Sequence, residues 1–193
     1  MSGLTRFTIE FPESRPAGRT RAALFDAFIA LVLDRRYDRL TVADIIARAG
    51  VGRSTFYEHY RGKDDLLREG LTGPFAVLAD MVTDRHDRER LRATVAHFWE
   101  NRRIGNVLFA GPTRLLATRT LAALIESRLT ERPCDRAVSV PPALLAAQLA
   151  GGQLALIAAW LGGLAPASPD EVAEALYASV QAIERRAPGV DGL

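Results

Sequence analysis

Residues 40–67 read LTVADIIARAGVGRSTFYEHYRGKDDLL, and the order of caps, apolar positions and glycines in this stretch decides the fold. Thr41 is an N-cap, because its hydroxyl can satisfy a free N–H of the first helical turn. Ile45, Ile46 and Ala49 follow at helical spacing on one apolar face. Gly50 ends that helix, where the backbone commonly turns to positive φ and only glycine is free of strain. Val51 and Gly52 complete the turn, and Arg53 to Tyr60 form a second helix. Two short helices joined by a glycine-containing turn are how a helix-turn-helix DNA reader is built.

The second helix carries the functional reading. At 100° per residue Phe56 and Tyr60 share one face and pack inward. The opposite face carries Ser54, Thr55, Glu58 and Arg61, flanked by Tyr57 and His59. Arg53 opens the helix, where the N-terminal residues of a recognition helix meet base edges. Arginine can bond guanine O6 and N7 together, and serine or threonine can serve several bases. Lys63 lies beyond Gly62 at the start of the next helix, where an ammonium and free N–H groups can both grip a phosphate. The alternative is an ordinary helical hairpin with a solvated polar face.

The run TVADIIARAGVGRSTFYEHYRGKDDLL, with a helix before it at about Arg19 to Arg36, resembles the N-terminal domain of the TetR family of bacterial transcriptional regulators. The detailed resemblance covers about residues 18–71, and the remainder agrees in length and helical character. It implies phosphate contacts from Thr41, Tyr57 and Lys63, with His59 at their rim, and base-edge contacts from Arg53, Ser54 and Thr55. Two residues depart from the pattern. Ile46 stands where alanine is frequent, which implies a slightly wider helix crossing. Glu58 faces the groove side, where phosphates repel it unless it accepts from a cytosine N4 or pairs with Arg61; the solvated intrahelical pair is the favoured reading.

Composition sets the class. A chain of 193 residues can bury a proper core in one large or two small domains. Helical apolar faces alternate with Pro and Gly breaks, and no sustained period-2 pattern occurs, so the chain is expected to be all-α. A net charge of +2 and a pI near 9.0 are only mildly basic, so DNA binding rests on the local motif rather than on bulk charge. The single cysteine, Cys134, gives no internal disulfide framework and suits a reducing cytoplasm. The opening MSGLTRFTIEFPESRPAGR lacks the apolar region of a signal peptide. Residues 1–16 are expected to form a tail, in which Phe7, Ile9 and Phe11 alternate as in an extended arm. Arg15, Arg19 and Arg21 could reach a minor groove, as arms do in other DNA readers; a solvated charged tail is the plainer reading.

Three domains follow: the tail (1–16), a helix-turn-helix domain (17–71) and an effector-binding and dimerisation domain (72–193). Leu24, Phe25, Phe28, Leu31 and Val32 give the first helix its core face. The helix opening KDDLLREGL is expected to break at Thr72-Gly73-Pro74, because proline disfavours helix for the residue before it; the break is either a hinge or a lost turn. In the body, helices are expected near Arg88–Arg102, Ile104–Phe109 and Pro112–Thr130, and Pro133 and Pro141-Pro142 bracket a loop. The last helix has Ser168 as N-cap, Pro169 at N1 and Glu171 at N3.

Residues 143–161, ALLAAQLAGGQLALIAAWL, contain no charge. A run of this length could span a bilayer, and Ala147, Gly151, Ala155 and Ala159 form a small-residue stripe of the kind by which membrane helices pair. A soluble dimer also needs a helix that is apolar on nearly all sides. The paired glycines weaken a helix, and no basic cluster or aromatic pair flanks the run, so the dimer is preferred. The resemblance implies a four-helix dimer interface from the last two long helices, here Ala147, Gly151, Leu154, Ala155, Ala158, Leu176 and Val180. A two-fold dimer places two recognition helices in successive major grooves and reads a near-palindrome.

His97, Phe98, Trp99 and Phe109, with Trp160, are candidates to line an effector pocket, although each also reads as a core residue. His86 lies in a charged, solvated stretch. Three histidines and one cysteine without HExxH or CxxC spacing argue against a metal site. No phosphate-binding glycine loop, GxSxG elbow or Cys–His signature is present, so neither an enzyme nor a cofactor is expected. The expected protein is a cytoplasmic, all-α homodimer that binds palindromic operator DNA and represses until a small-molecule effector releases it. A ligand-responsive activator, a sequence-independent DNA coater and a small membrane-associated helical protein are the alternatives.

Overall fold

The computed structural model describes residues 16–83, 86–131 and 140–185, and every regular element within them is helical. Helix α1 (Pro16–Asp34) leads through a 3-10 turn at Tyr37–Arg39 to α2 (Val42–Ala49), α3 (Arg53–His59) and α4 (Lys63–Asp80). The body follows as α5 (Arg88–Glu100), α6 (Arg102–Phe109), a 3-10 turn at Gly111–Thr113, α7 (Arg114–Thr130), α8 (Pro142–Leu161) and α9 (Pro169–Arg185). The expected arm (Phe7, Ile9, Phe11, Arg15), Pro133 and Cys134 lie outside the described residues.

Local chemistry accounts for the boundaries around α2. The Thr41 hydroxyl donates to Asp44 Oδ2 at 2.6 Å and accepts from the Asp44 N–H at 3.2 Å, while the Thr41 N–H donates to the same carboxylate at 3.0 Å. This reciprocal box satisfies donors that a helix start leaves orphaned. The Thr41 hydroxyl, then its N–H, hold the Asp44 carboxyl below its ordinary pKa. Gly50 closes α2 at φ 67°, with its N–H bonded to Ile46 O at 3.0 Å. Ser168 and Glu171 build the same box at α9: the Ser168 N–H and hydroxyl donate to Glu171 Oε2 at 2.7 and 2.8 Å.

Among the first four helices, Leu24, Phe25, Phe28, Leu31 and Val32 of α1 are all buried, as their spacing predicts, together with Ile45, Phe56 and Tyr60. The α1–α4 crossing is close: a Cβ on Gly70 would stand 2.1 Å from Phe25 Cε2. Around this core α7 packs against both α4 and α8, α5 lies against α9, and α6 rests on α8 and also touches α1.

The expected break at Thr72-Gly73-Pro74 does not occur. Helix α4 runs through Pro74 to Asp80, across the expected domain boundary. Gly73 has no Cβ to clash with the proline ring, so the usual objection to helix before proline is weak here. Leu71, Phe75, Val77, Leu78 and Ala79 are buried on either side of Pro74. Tertiary burial therefore outweighs one lost N–H···O=C bond. Two smaller differences concern the body. Pro112 sits in the 3-10 turn, so α7 starts at Arg114, and the helix from Arg88 stops at Glu100, where Asn101 leaves helical geometry (φ −104°, ψ 27°).

Helix α8 is, among the described residues, the one helix long and apolar enough to cross a membrane, with mean hydropathy 1.6. Its residues Ala146, Leu149, Ala150, Gln153, Leu154, Ile157, Trp160 and Leu161 are buried inside the protomer.

Candidate nucleic-acid interface

Helix α3 is anchored from below and free above. Phe56 is fully buried, and Tyr60 caps the helix with its ring 5.7 Å from that of Phe56. Burial first, then the Glu69 carboxylate, push the Tyr60 hydroxyl well above the ordinary tyrosine pKa. Outward from this anchor, Arg53, Ser54, Tyr57 and Glu58 are exposed, and Thr55 and His59 are half-buried. The Arg53 guanidinium lies 5.6 Å from the centre of the Tyr57 ring, and the Tyr57 ring meets that of Phe56 edge-on. A cation over an aromatic face is held weakly and directionally. Arg53 is thereby held against α3 while its N–H groups stay open.

Ser54, Thr55, Tyr57 and His59 form no side-chain hydrogen bonds among the described residues, so their polar atoms remain available. Glu58 does not pair with Arg61, contrary to expectation. The Arg61 main-chain N–H instead donates to Asp65 Oδ2 at 3.0 Å, which ties the exit of α3 to the first turn of α4.

Two residues expected at phosphates have other engagements. The Thr41 hydroxyl proton is directed to Asp44. Lys63 Nζ donates to the carbonyls of Tyr37 and Leu40, both at 2.7 Å, and sits 4.4 Å from the Tyr37 ring centre. The Tyr37 hydroxyl in turn donates to Asp64. Burial first, then that bond and the Asp64 charge, raise the Tyr37 pKa. Lys63, Tyr37 and Asp64 thus clamp the 3-10 turn to the start of α4. Sequence reading missed this clamp, and also Asp44 as the partner of Thr41, although T-x-x-D at a helix start was a usable signal.

The four expected pocket residues differ in burial and in their contacts. Phe98 and Phe109 are buried and meet edge-on at 5.5 Å, and Phe109 also stacks on Phe75 at 5.9 Å. They are core residues. Trp99 is 37% exposed and stacks on Trp160 at 4.8 Å, with Arg102 over its ring. His97 is half-buried, and desolvation lowers its pKa. Its Nδ1 lies 3.3 Å from the Asn101 amide nitrogen.

The seven expected dimer residues also separate. Leu154, Leu176 and Val180 are at most 1% exposed, so they belong to the protomer's own core and cannot meet a partner. Ala147 and Ala155 are exposed, and Gly151 and Ala158 are half-buried. Leu144 and Leu156 join them on the outer side of α8 at 62% and 36% exposure.

The reader matches known proteins. A sequence profile described as bacterial regulatory proteins, tetR family, matches residues 24–69. The HTH-type transcriptional regulator YxbF of Bacillus subtilis is 35% identical over 66 residues, 34% of this chain and 17% of that protein. The HTH-type transcriptional repressor LfrR of Mycolicibacterium smegmatis is 43% identical over 56 residues, 29% of each chain. The chain thus spans less than a third of the length of either relative. A TetR transcriptional regulator from Streptococcus agalactiae superposes with TM-score 0.55 at 28% identity, covering 88% of this chain and 97% of that one.

Proposed function

We propose that the chain is a regulator of the TetR family, whose profile matches residues 24–69, and from that premise that it binds DNA and represses transcription from a palindromic operator. The observation that carries the reading is the outer face of α3. Arg53, Ser54 and Thr55 stand at its N-terminal end, their side chains making no hydrogen bond or ion pair among the described residues, and Phe56 and Tyr60 fix the helix beneath them. Such a helix end can enter a major groove and offer donors to base edges. Tyr57 and His59 flank it within reach of phosphates. In this reading Lys63 acts through position, holding the start of α4, with at most its third N–H left for a phosphate.

The protein works as a homodimer. One seven-residue helix reads only a few base pairs, and a two-fold axis sets two such helices about 34–36 Å apart on successive turns. The outer sides of α8 and α9 supply the interface. Ala147, Gly151 and Ala155 lie on one side of α8, and Ala175, Ala178 and Ala182 are exposed at helical spacing on α9. Only 44% of the apolar stretch of α8 is buried within the protomer, and a second copy would cover the rest. On this account α8 is a dimer helix of a soluble, cytoplasmic protein. A small-molecule effector releases DNA to the extent that it prefers a different spacing of the two readers.

Selection of bound duplexes from a random pool tests the proposal. A palindrome should be enriched, and Arg53→Ala should weaken its binding by about 1–3 kcal/mol with loss of base preference at one position per half-site. No enrichment by a folded protein refutes sequence-specific reading, and a uniform loss across all duplexes removes Arg53 from base contact.

A further inference from the structure

We propose that an open groove between α4 and α7 binds a single-chain amphipathic carboxylate, and that its occupation draws Arg68 away from Asp65 and loosens the hold on DNA; the second half rests on the function proposed above. The groove encloses about 350 Å³, at the small end of the range for small-molecule sites. Leu116, Ala123 and Leu124 of α7 give it an apolar wall, and Arg68 and Arg119 stand at its sides with no carboxylate among the lining residues. The two threonines that complete it, Thr72 and Thr120, donate their protons back to the carbonyls of Arg68 and Leu116. The guanidinium groups are therefore the donors left for a ligand.

Arg119 is exposed and makes no ion pair among the described residues, and Arg68 pairs with Asp65 alone. A guanidinium fork matches a carboxylate, and an alkyl tail matches the leucine wall. A neutral ligand would leave the arginines unused, and a bare anion would leave the wall unused.

The groove has a route to the reader. Asp65 Oδ1 takes the Arg68 guanidinium, while Asp65 Oδ2 accepts the main-chain N–H of Arg61 at 3.0 Å, just past α3. A carboxylate on Arg68 competes with Asp65 for the same fork and frees the residue that secures the α3–α4 turn. Helix α4 is also weakened beside the groove, because Pro74 has no N–H for the carbonyl of Gly70.

The test uses the full chain with octanoate and, as the uncharged probe of equal length, octan-1-ol. Calorimetry should find octanoate bound at least tenfold more tightly than octan-1-ol, and Arg119→Ala should abolish that preference with octan-1-ol binding unchanged. Equal binding of the two probes, no binding of either, or octanoate binding that survives Arg119→Ala overturns the site. Anisotropy on the selected duplex then reads the coupling. Octanoate should weaken duplex binding at least fivefold in the wild-type protein and leave Arg119→Ala unaffected. Asp65→Asn should weaken duplex binding without any octanoate while still binding octanoate. Duplex affinity unmoved by saturating octanoate overturns the coupling. A protein that binds no duplex even without octanoate overturns the DNA-reading function instead, and calorimetry still decides the site.

Discussion

Helix α3 has seven residues and offers the solvent polar side chains that make no side-chain hydrogen bond among the described residues, whereas α8 has twenty and offers alanines, glycines and two leucines. Both are half-embedded in the same protomer, and both leave an outer face that the chain itself does not satisfy. The difference lies in what can complete each face. Open donors on a rigid, well-anchored helix suit a partner of fixed hydrogen-bonding pattern, such as base edges. A smooth small-residue face suits close approach of another helix, where shape and apolar area matter more than individual donors. Rigidity is bought differently as well: caps and the Lys63 clamp hold the reader, and burial holds the body.

The strongest way to break this comparison is to fill the smooth face. A Cβ on Gly151 meets nothing within 4 Å in the protomer, so Gly151→Leu should fold as well as the parent. A partner packed on that face would meet the added side chain twice, once from each copy. We expect dimer stability to fall by on the order of 3 kcal/mol, with operator affinity falling in step. Sedimentation velocity beside circular dichroism checks this. A dimer of undiminished stability would move the interface off this side of α8.

A smaller effect sharpens the reader's half. Lys63→Met keeps the aliphatic stem but removes the ammonium that bonds Tyr37 O and Leu40 O. Hydrogen bonds to charged groups contribute about 1.5–3 kcal/mol each in favourable settings. Because Lys63 is half-buried and water can replace part of this, we expect a loss of about 2 kcal/mol in urea unfolding. The salt dependence of duplex binding should change little. Unaltered stability with a salt slope lower by about one unit would return Lys63 to the phosphates.

These cases mark where the sequence is legible. The boundaries of α2 and α9 were readable because Thr41, Gly50, Ser168 and Glu171 act on backbone groups within four residues. The inward face of α3 was readable because Phe56 and Tyr60 sit one turn apart. The carbonyl partners of Lys63 were not foreseen because they lie 26 and 23 residues away, beyond any local pattern. The continuity of α4 through Pro74 depends on the burial of Leu71 and Phe75, which only the assembled core supplies. Helix α8 is apolar on both sides, so periodicity identified it as special but could not tell the inner Leu154 from the outer Ala155. The α4–α7 groove was invisible for a related reason: Arg68 and Arg119 are ordinary surface arginines until two distant helices bring them together.

The smallest expected effect concerns the inner face of α8. Three polar side chains are buried in the described core: Asn101, Thr113 and Gln153. Asn101 donates to His97 O at 3.0 Å, and Thr113 donates to Val107 O at 2.9 Å. Gln153 is 2% exposed, and among the described residues neither its amide nitrogen nor its oxygen has a partner. An unsatisfied buried amide costs about 1–3 kcal/mol, while an apolar group of similar shape avoids that penalty. Leucine is slightly smaller, so a little packing is lost in exchange. Gln153→Leu should therefore stabilise the protomer by about 1 kcal/mol in urea unfolding, without altering dimerisation, because the residue faces away from the outer side. Destabilisation would mean that the amide is satisfied in solution by a bound water, and the inner face of α8 would then be partly polar, narrowing its contrast with α3.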